Sequence, residues 1–287
     1  MKKILVTGSN GQLGSELKVL SKNHPDFEFL FHDIDTLDLT DFQAVEKYFQ
    51  QHKPEYTINC AAYTAVDKAE ENFQTASLIN ADVPGKLAEL SERYNGCFVH
   101  ISSDYVFDGR NYRPYKEEDI PNPLSAYGKS KLAGEQQVMI HGNSVIIRTS
   151  WLYSQYGHNF LKTLLKLGKE KESLYMVYDQ IGTPTNARDL AIVLMKLIQY
   201  SNQDVFPRGI FHFSNEGVSS WFDFAKEIIE FSGLSCKIIP ILTNQYPLPA
   251  PRPYYSVMDK SKIKRVLDIE IPYWKDSVRD CLKNLLY

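Results

Sequence analysis

The sequence predicts an α/β fold: a doubly wound parallel sheet with helices on both faces, followed by a smaller C-terminal α/β domain. Three observations carry that expectation. Short β-rich runs alternate with helical patterns through the first half of the chain, as in successive βαβ units. A glycine-rich turn, Gly8-Ser9-Asn10-Gly11-Gln12-Leu13-Gly14, follows the first run directly. At 287 residues the chain exceeds the usual single core of ~100–150 residues, so a large domain with a smaller attachment is expected.

Taken in order, buried strands are expected over 3–7, 27–32, 56–60, 97–102 and 144–149, and the intervening helices over 13–21, 42–52, 73–94 and 126–140. Thr40 and Asp41 read as the capped start of the second helix and Ser125 as the cap of the fourth. Between them, residues 104–124 show no sustained period and read as a long ordered loop, a length that usually serves function. Beyond Trp151, helices over 159–167, 187–200, 221–231 and 276–285 alternate with short strands and Pro-rich turns such as 245–253, which suggests a lid-like unit. The expected division is 1–150 and 151–287, with a segment near 180–215 returning to pack on the first part. No internal repeat or low-complexity tract interrupts this order.

Composition narrows the class. Hydrophobic residues at 43% and charged residues at 23% match soluble globular averages, which argues against disorder. Lys and Arg (32) nearly balance Asp and Glu (35) without a basic run, so no nucleic-acid partner is expected. The apolar run after Met1-Lys2-Lys3 is too short for a signal peptide. No stretch approaches the ~20 apolar residues that span a bilayer. A cytoplasmic protein with no membrane partner is therefore expected. Cys60, Cys97, Cys236 and Cys281 are widely spaced with no Cys-x-x-Cys pair, so buried free thiols are expected and not a zinc site or redox dithiol.

The glycine turn lies between a strand and a helix, and that context gives it meaning. Gly8 allows a tight turn, Gly11 lets backbone approach a pyrophosphate, and Gly14 permits close helix packing, while the helix N-terminus attracts phosphate. Asp33 closes the second strand about 20 residues on, where a carboxylate accepts hydrogen bonds from an adenosine ribose; a solvated strand end is the alternative. Such a carboxylate repels a 2′-phosphate and favours NADH, but an open site accepts both, so the cofactor is expected to be NADPH or NADH. In Asn59-Cys60-Ala61-Ala62-Tyr63-Thr64 the small side chains either make room for that cofactor or serve tight strand–helix packing. The first 150 residues thus read as a dinucleotide-binding domain of the Rossmann type.

Tyr127-Gly128-Lys129-Ser130-Lys131 sets a phenol and an ammonium on one helix face. Tyr112 and Lys116 share that spacing, but Pro114 lies between them and places that pair in a loop. A phenol titrates near ~10, and an adjacent ammonium is expected to lower that value. Tyr127 then suits proton donation to an alkoxide formed by hydride transfer. Ser103 at the end of the fourth strand offers a hydroxyl to the same oxygen.

With the glycine turn, strand-end serine and Tyr-x-x-x-Lys helix in that order, the chain resembles the extended short-chain dehydrogenase/reductase superfamily. Within it, Ser102-Ser103-Asp104-Tyr105-Val106-Phe107-Asp108-Gly109, the string from Tyr127 to Glu135, Arg148-Thr149-Ser150-Trp151 and Arg252-Pro253 are similar to the dTDP-4-dehydrorhamnose reductase family. The resemblance implies reduction of the C4 ketone of a dTDP-sugar with NADPH or NADH. It implies cofactor contacts at Gly11, Gln12, Leu13, Asp33, Asp38, Leu39, Ala62, Tyr63, Thr64, Tyr127 and Lys131, and sugar-nucleotide contacts at Ser103, Asp104 and Trp151. Ser103 stands where the family often has threonine, and either hydroxyl serves. Arg252 could fork onto the diphosphate, or be a surface arginine before a turn. Some members hold magnesium between subunits; Glu16 matches one such position without a convincing second, so no metal is expected.

The superfamily also holds dehydratases and epimerases. Dehydratases follow the strand-end hydroxyl with an Asp-Glu pair, whereas Asp104 here precedes Tyr105, which favours ketone reduction. Another sugar-nucleotide reductase or epimerase, or a non-catalytic subunit resembling the regulatory subunit of methionine adenosyltransferase, are the alternatives; the intact Tyr127/Lys131 pair argues against the last. The sequence leaves monomer and homodimer both open.

Overall fold

The computed structural model describes residues 1–200 and 206–286. The first half runs β1 (Lys2–Thr7), α1 (Gln12–Ser21), β2 (Phe27–His32), α2 (Phe42–His52), β3 (Tyr56–Asn59), α3 (Val66–Glu71), α4 (Phe73–Ser77), α5 (Val83–Arg93), β4 (Cys97–Ser103), α6 (Ala126–Val138) and β5 (Ser144–Thr149). The second half runs β6 (Leu152–Tyr153), α7 (Phe160–Glu170), β7 (Ser173–Val177), β8 (Ile181–Gly182), β9 (Thr185–Asn186), α8 (Ala187–Tyr200), β10 (Gly209–His212), β11 (Ser219–Ser220), α9 (Trp221–Phe231), β12 (Lys237–Ile241), α10 (Ser261–Leu267) and α11 (Trp274–Leu286).

Six strands form one sheet in the order β10-β5-β4-β3-β1-β2, and every pairing in it is parallel. The chain moves outward from β1 to β2, then crosses back to β3, so a topological switch point lies between β1 and β3. Register pairs Thr7 with Asn59 and Ser103 with Thr149, which gathers the strand ends along one edge.

Alternating side chains explain why both faces are covered. Ile4, Val6, Ile58, Val99, Val145 and Ile147 pack in one cluster with Leu13 and Leu17 of α1 and Leu190 and Leu194 of α8. Leu5, Phe98 and Ile146, one residue out of phase, pack in a second cluster with Val45, Phe49, Leu87 and Leu90 of α2 and α5. A third cluster, built from Tyr153, Leu161, Leu164, Phe224, Ile228, Trp274 and Val278, belongs to the later helices. α8 and β10 come late in the chain, yet α8 packs on α1 and β10 extends the sheet beside β5.

The single helix expected over 73–94 is instead interrupted. α4 and α5 are joined by a wider π turn, Leu78–Asp82, immediately before Pro84 in the first turn of α5. Proline has no N–H and its ring clashes with the carbonyl four residues earlier, here that of Asn80, so a regular helix cannot pass through. α3 was not anticipated, and β4 extends one residue further to include Ser103. The caps are as expected: Asp41 accepts from the amides of Gln43 and Ala44, and Ser125 from that of Gly128. The 104–124 loop is held in place by Tyr115, whose amide donates to the Val257 carbonyl at 2.9 Å.

Candidate active site

A cleft of about 850 Å³ opens along the strand ends, and the glycine turn forms one end of it. Gly8 has φ +63, and a Cβ there would lie 2.6 Å from the Ala61 nitrogen, so only glycine lets β1 turn against the end of β3. A Cβ on Gly14 would lie 2.5 Å from the Gly8 carbonyl oxygen, so Gly14 closes the helix onto the turn and does not line the cleft. Gly11 caps α1 without a side-chain hydrogen bond, which leaves the first-turn amides to an anion. The donor set therefore fits a pyrophosphate.

Asn10, Gly11, Gln12, Leu13, Asp33, Asp38, Leu39, Ala61, Ala62 and Thr64 all line this cleft, as the sequence predicts. Asp33 accepts the Asn10 amide at 2.8 Å and the Ile34 amide at 2.9 Å, and Lys18 donates to the Asn10 side-chain oxygen at 2.8 Å. The Asp38 carboxyl is held below its usual range by the side chain and backbone of Thr40. Tyr63 is not part of the lining; its amide and carbonyl both bind the Asn80 side chain, and its ring packs against the cluster around Tyr127. Tyr112, of the rejected pair, is 91% exposed.

Ser103, Asp104, Tyr127 and Lys131 all line the same cleft. Ser125 caps α6 one residue before the helix begins, so Tyr127 lies in its first turn and Lys131 one turn on. The Tyr127 phenol is hydrogen-bonded to Ser103, whose hydroxyl donates to Asp104 at 2.9 Å and accepts the Tyr105 amide at 3.1 Å. Lys131, 1% exposed, donates to the Ile101 carbonyl at 2.7 Å and faces His100 Nε2 at 3.3 Å. The expected tuning is therefore corrected. Burial pushes Tyr127 up to about 12, partly opposed by Ser103, and the Lys131 nitrogen is turned to the strand and its Ile101 carbonyl. Burial also pulls Lys131 down to about 8, against the pull of Glu135, and raises Asp104 to about 6, against its hydrogen bonds to Ser256 and Ser103.

Trp151 lines the cleft with φ +48, a left-handed backbone that is unfavourable for a bulky residue. Stacking on Trp221 at 3.8 Å holds its ring in place, and Gly182 makes the room, since a Cβ there would lie 2.8 Å from the indole. Trp221, Gly157 and His158 also line the cleft and were missed, because their approach depends on how the second half folds back. Arg252 lies outside the lining and forks onto Asp67 of α3 at 2.5 and 2.7 Å, so its guanidinium is engaged by a carboxylate and not presented to a diphosphate.

Elsewhere, Glu16 and Asp189 line a smaller cavity of about 230 Å³ together with Arg188 and Asp280. Among the described residues no group of three or more His, Cys, Asp or Glu is placed to hold a metal. All four cysteines are free; Cys236 and Cys281 are buried, Cys97 is half-buried, and Cys60 lines the cleft.

A doubly wound parallel sheet, a phosphate-accepting glycine turn and a Ser, Tyr and Lys constellation at the strand ends define an NAD(P)-dependent oxidoreductase of the extended short-chain dehydrogenase/reductase class. The family model described as RmlD substrate binding domain matches residues 1–287, and the chain belongs to the dTDP-4-dehydrorhamnose reductase family. It is 39% identical to the spore coat polysaccharide biosynthesis protein SpsK of Bacillus subtilis, covering 99% of this chain and 98% of the relative. It is also 39% identical to a dTDP-4-dehydrorhamnose reductase of Sinorhizobium fredii, with the same coverage. A crystal structure of the Bacillus anthracis dTDP-4-dehydrorhamnose reductase in complex with NADP superposes with a TM-score of 0.94 at 37% identity, covering 99% of this chain and 100% of that one.

Proposed function

We propose that this chain reduces the C4 ketone of dTDP-4-dehydro-L-rhamnose to dTDP-L-rhamnose with NADPH or NADH, the last step in making that activated sugar. The observation that carries the reading is the meeting of Ser103, Tyr127 and Lys131 in the same cleft as the glycine turn. Bound in that cleft, the dinucleotide supplies the hydride. The chain's residues do the rest. Gly8, Asn10, Gly11, Gln12 and Leu13 receive the pyrophosphate, Asp33, Asp38 and Leu39 the adenosine end, and Ala61, Ala62 and Thr64 line the cleft at the end of β3, with Tyr63 between them held by Asn80.

Tyr127 gives its proton to the C4 oxygen as charge develops there, and Ser103 donates to the same oxygen. Lys131 holds the nicotinamide ribose and its charge favours the phenolate that proton donation leaves behind. A phenol held near 12 is a poor acid, so the ammonium has work only once it leaves the Ile101 carbonyl. Asp104 and Trp151 contact the sugar, and Arg252, paired with Asp67, fastens the late loop to α3. Residues 1–150, with the returning segment near 180–215, carry the dinucleotide, and 151–287 mainly the sugar nucleotide; positions 201–205 of that segment lie outside the described residues. Among the described residues no helix is long and apolar enough to cross a membrane. The proposed setting is the cytoplasm, with the chain a monomer or homodimer.

The test is to incubate the protein with the 4-keto sugar nucleotide, freshly made by its dehydratase and epimerase, and to follow absorbance loss from NADPH and NADH in parallel. Stoichiometric oxidation of either, with dTDP-rhamnose formed, supports the reading. Sugar conversion without net cofactor loss would point to an epimerase or dehydratase and remove it.

A further inference from the structure

Lys131 is backed by a chain of polar groups that the reaction above does not use: His100, Asn59 and Thr7, each at most 1% exposed. One donor in that chain has no choice of role. The Ala61 backbone N–H points to Asn59 Oδ1 at 3.2 Å, so that atom is the amide oxygen, and the Thr7 hydroxyl donates to the same oxygen at 2.7 Å. The Asn59 amide nitrogen then faces His100 Nδ1 at 3.2 Å, and since it can only donate, Nδ1 must accept. A neutral imidazole that accepts at Nδ1 carries its hydrogen on Nε2, which lies 3.3 Å from Lys131 Nζ. Two donors would face each other there if the lysine is an ammonium; an uncharged amine would offer its lone pair.

We propose that His100, oriented by Asn59, is a positioning residue that presents Nε2–H to Lys131 and weakens its hold on the third proton, setting the pH at which the lysine of the cofactor-free protein ionises. This rests on the role given to Lys131 above. Burial of the ring and the nearby Lys131 charge hold His100 neutral, well below its ordinary range. Of the titratable and charged groups nearby, Tyr127 and Asp104 line the same cleft as Lys131, and Glu135, one turn along α6, pairs with Arg148 of β5. Glu135 alone among them draws Lys131 toward the ammonium. Its oxygens are held by Arg148 at 2.9 and 2.7 Å and by Ser102 at 2.6 Å, which share its charge with groups other than the lysine.

Nitrogen-15 labelling of histidine reads the tautomer in the cofactor-free native protein. A His100 ring protonated at Nε2 alone is the expected result; protonation at Nδ1, or at both nitrogens, overturns the proposal. Asn59→Asp keeps the shape but replaces the donor by a carboxylate, which moves the hydrogen to Nδ1 and leaves Nε2 to accept from the ammonium, and its negative charge adds to the same shift. The alkaline limb of kcat/KM for NADPH should then rise by about one pH unit, a tenfold change in the ammonium-to-amine ratio. His100→Gln, with an oxygen able to reach the Nε2 position, should shift it the same way. An unmoved limb in folded His100→Gln, which adds no charge, overturns the proposal; a merely structural defect lowers activity at every pH and leaves the limb where it was. The two readings fail separately: full activity of Tyr127→Phe would remove the proposed chemistry and leave the tautomer standing, whereas the wrong tautomer would leave the chemistry untouched.

Discussion

Tyr127 has 9% of its surface exposed, and enclosure makes its phenol a weaker acid in the absence of ligands. Its value to the reaction is position, next to Ser103 and above Lys131, so loss of the hydroxyl removes the proton donor with little change in shape. Tyr127→Phe should lower kcat by ~10²–10⁴ with cofactor affinity nearly unchanged, measured by steady-state kinetics and a fluorescence titration of NADPH. Asp104 carries the opposite kind of consequence. Its carboxyl is raised from 3.8 to about 6, so between those values the folded chain holds a proton that the unfolded chain has released. Stability therefore falls as pH rises through that window and stays lower above it. Asp104→Asn should be more stable than the parent at neutral pH by up to about 3 kcal/mol, with the gain fading as pH falls toward 3.8, and with activity reduced. Thermal unfolding across that pH range checks it.

α6 is the element on which the chemistry depends, and two contacts fix where it lies. A Cβ on Gly134 would sit 2.0 Å from the Asn80 carbonyl oxygen, so the helix approaches the π turn before Pro84 at backbone distance. The Asn80 side chain adds bonds to Ser130 and to both backbone groups of Tyr63. Gly134→Ala should destabilise by about 1–3 kcal/mol or more through overpacking, read as a lower urea midpoint. The second contact is a buried ion pair: Glu135 takes Arg148 in a fork and accepts Ser102, while Arg148 lies 5.0 Å over the Phe107 ring. Glu135→Ala strands a guanidinium that is 1% exposed and should cost about 3–5 kcal/mol; replacing both partners by apolar residues should recover most of that loss in the same denaturation assay.

At the scale of the whole chain, the site is assembled from both ends. Arg252 and Asp67 are 185 positions apart, and their pairing, with the Ala250 amide on the same carboxylate, fastens the late loop to α3. Arg252→Ala should raise the KM for the sugar nucleotide about tenfold, a change of about 1.4 kcal/mol, with cofactor affinity unchanged. Parallel cofactor and substrate titrations decide this; an equal loss of both would mean that the loop supports the whole cleft. Trp151 depends on the same folding back, because Trp221 and Gly182, which hold its ring, lie far along the chain.

Local rules made much of this legible in the residues alone. Short β-rich apolar runs mark β1, β2, β3, β4 and β5, the glycine turn marks the phosphate end, and Ser125 starts the helix that pairs Tyr127 with Lys131, because each signal acts within a few residues. The interruption at Pro84 is equally local, since the proline itself breaks the single helix expected over 73–94. Tertiary structure alone decided the rest. Burial, which sums contributions from distant strands, made the Tyr127 phenol a weaker acid, and the fold aimed Lys131 at Ile101 and His100. It also gave Arg252 a carboxylate from the far end of the chain, since an unpaired ion finds its partner by where the fold brings it and not by its place in the sequence.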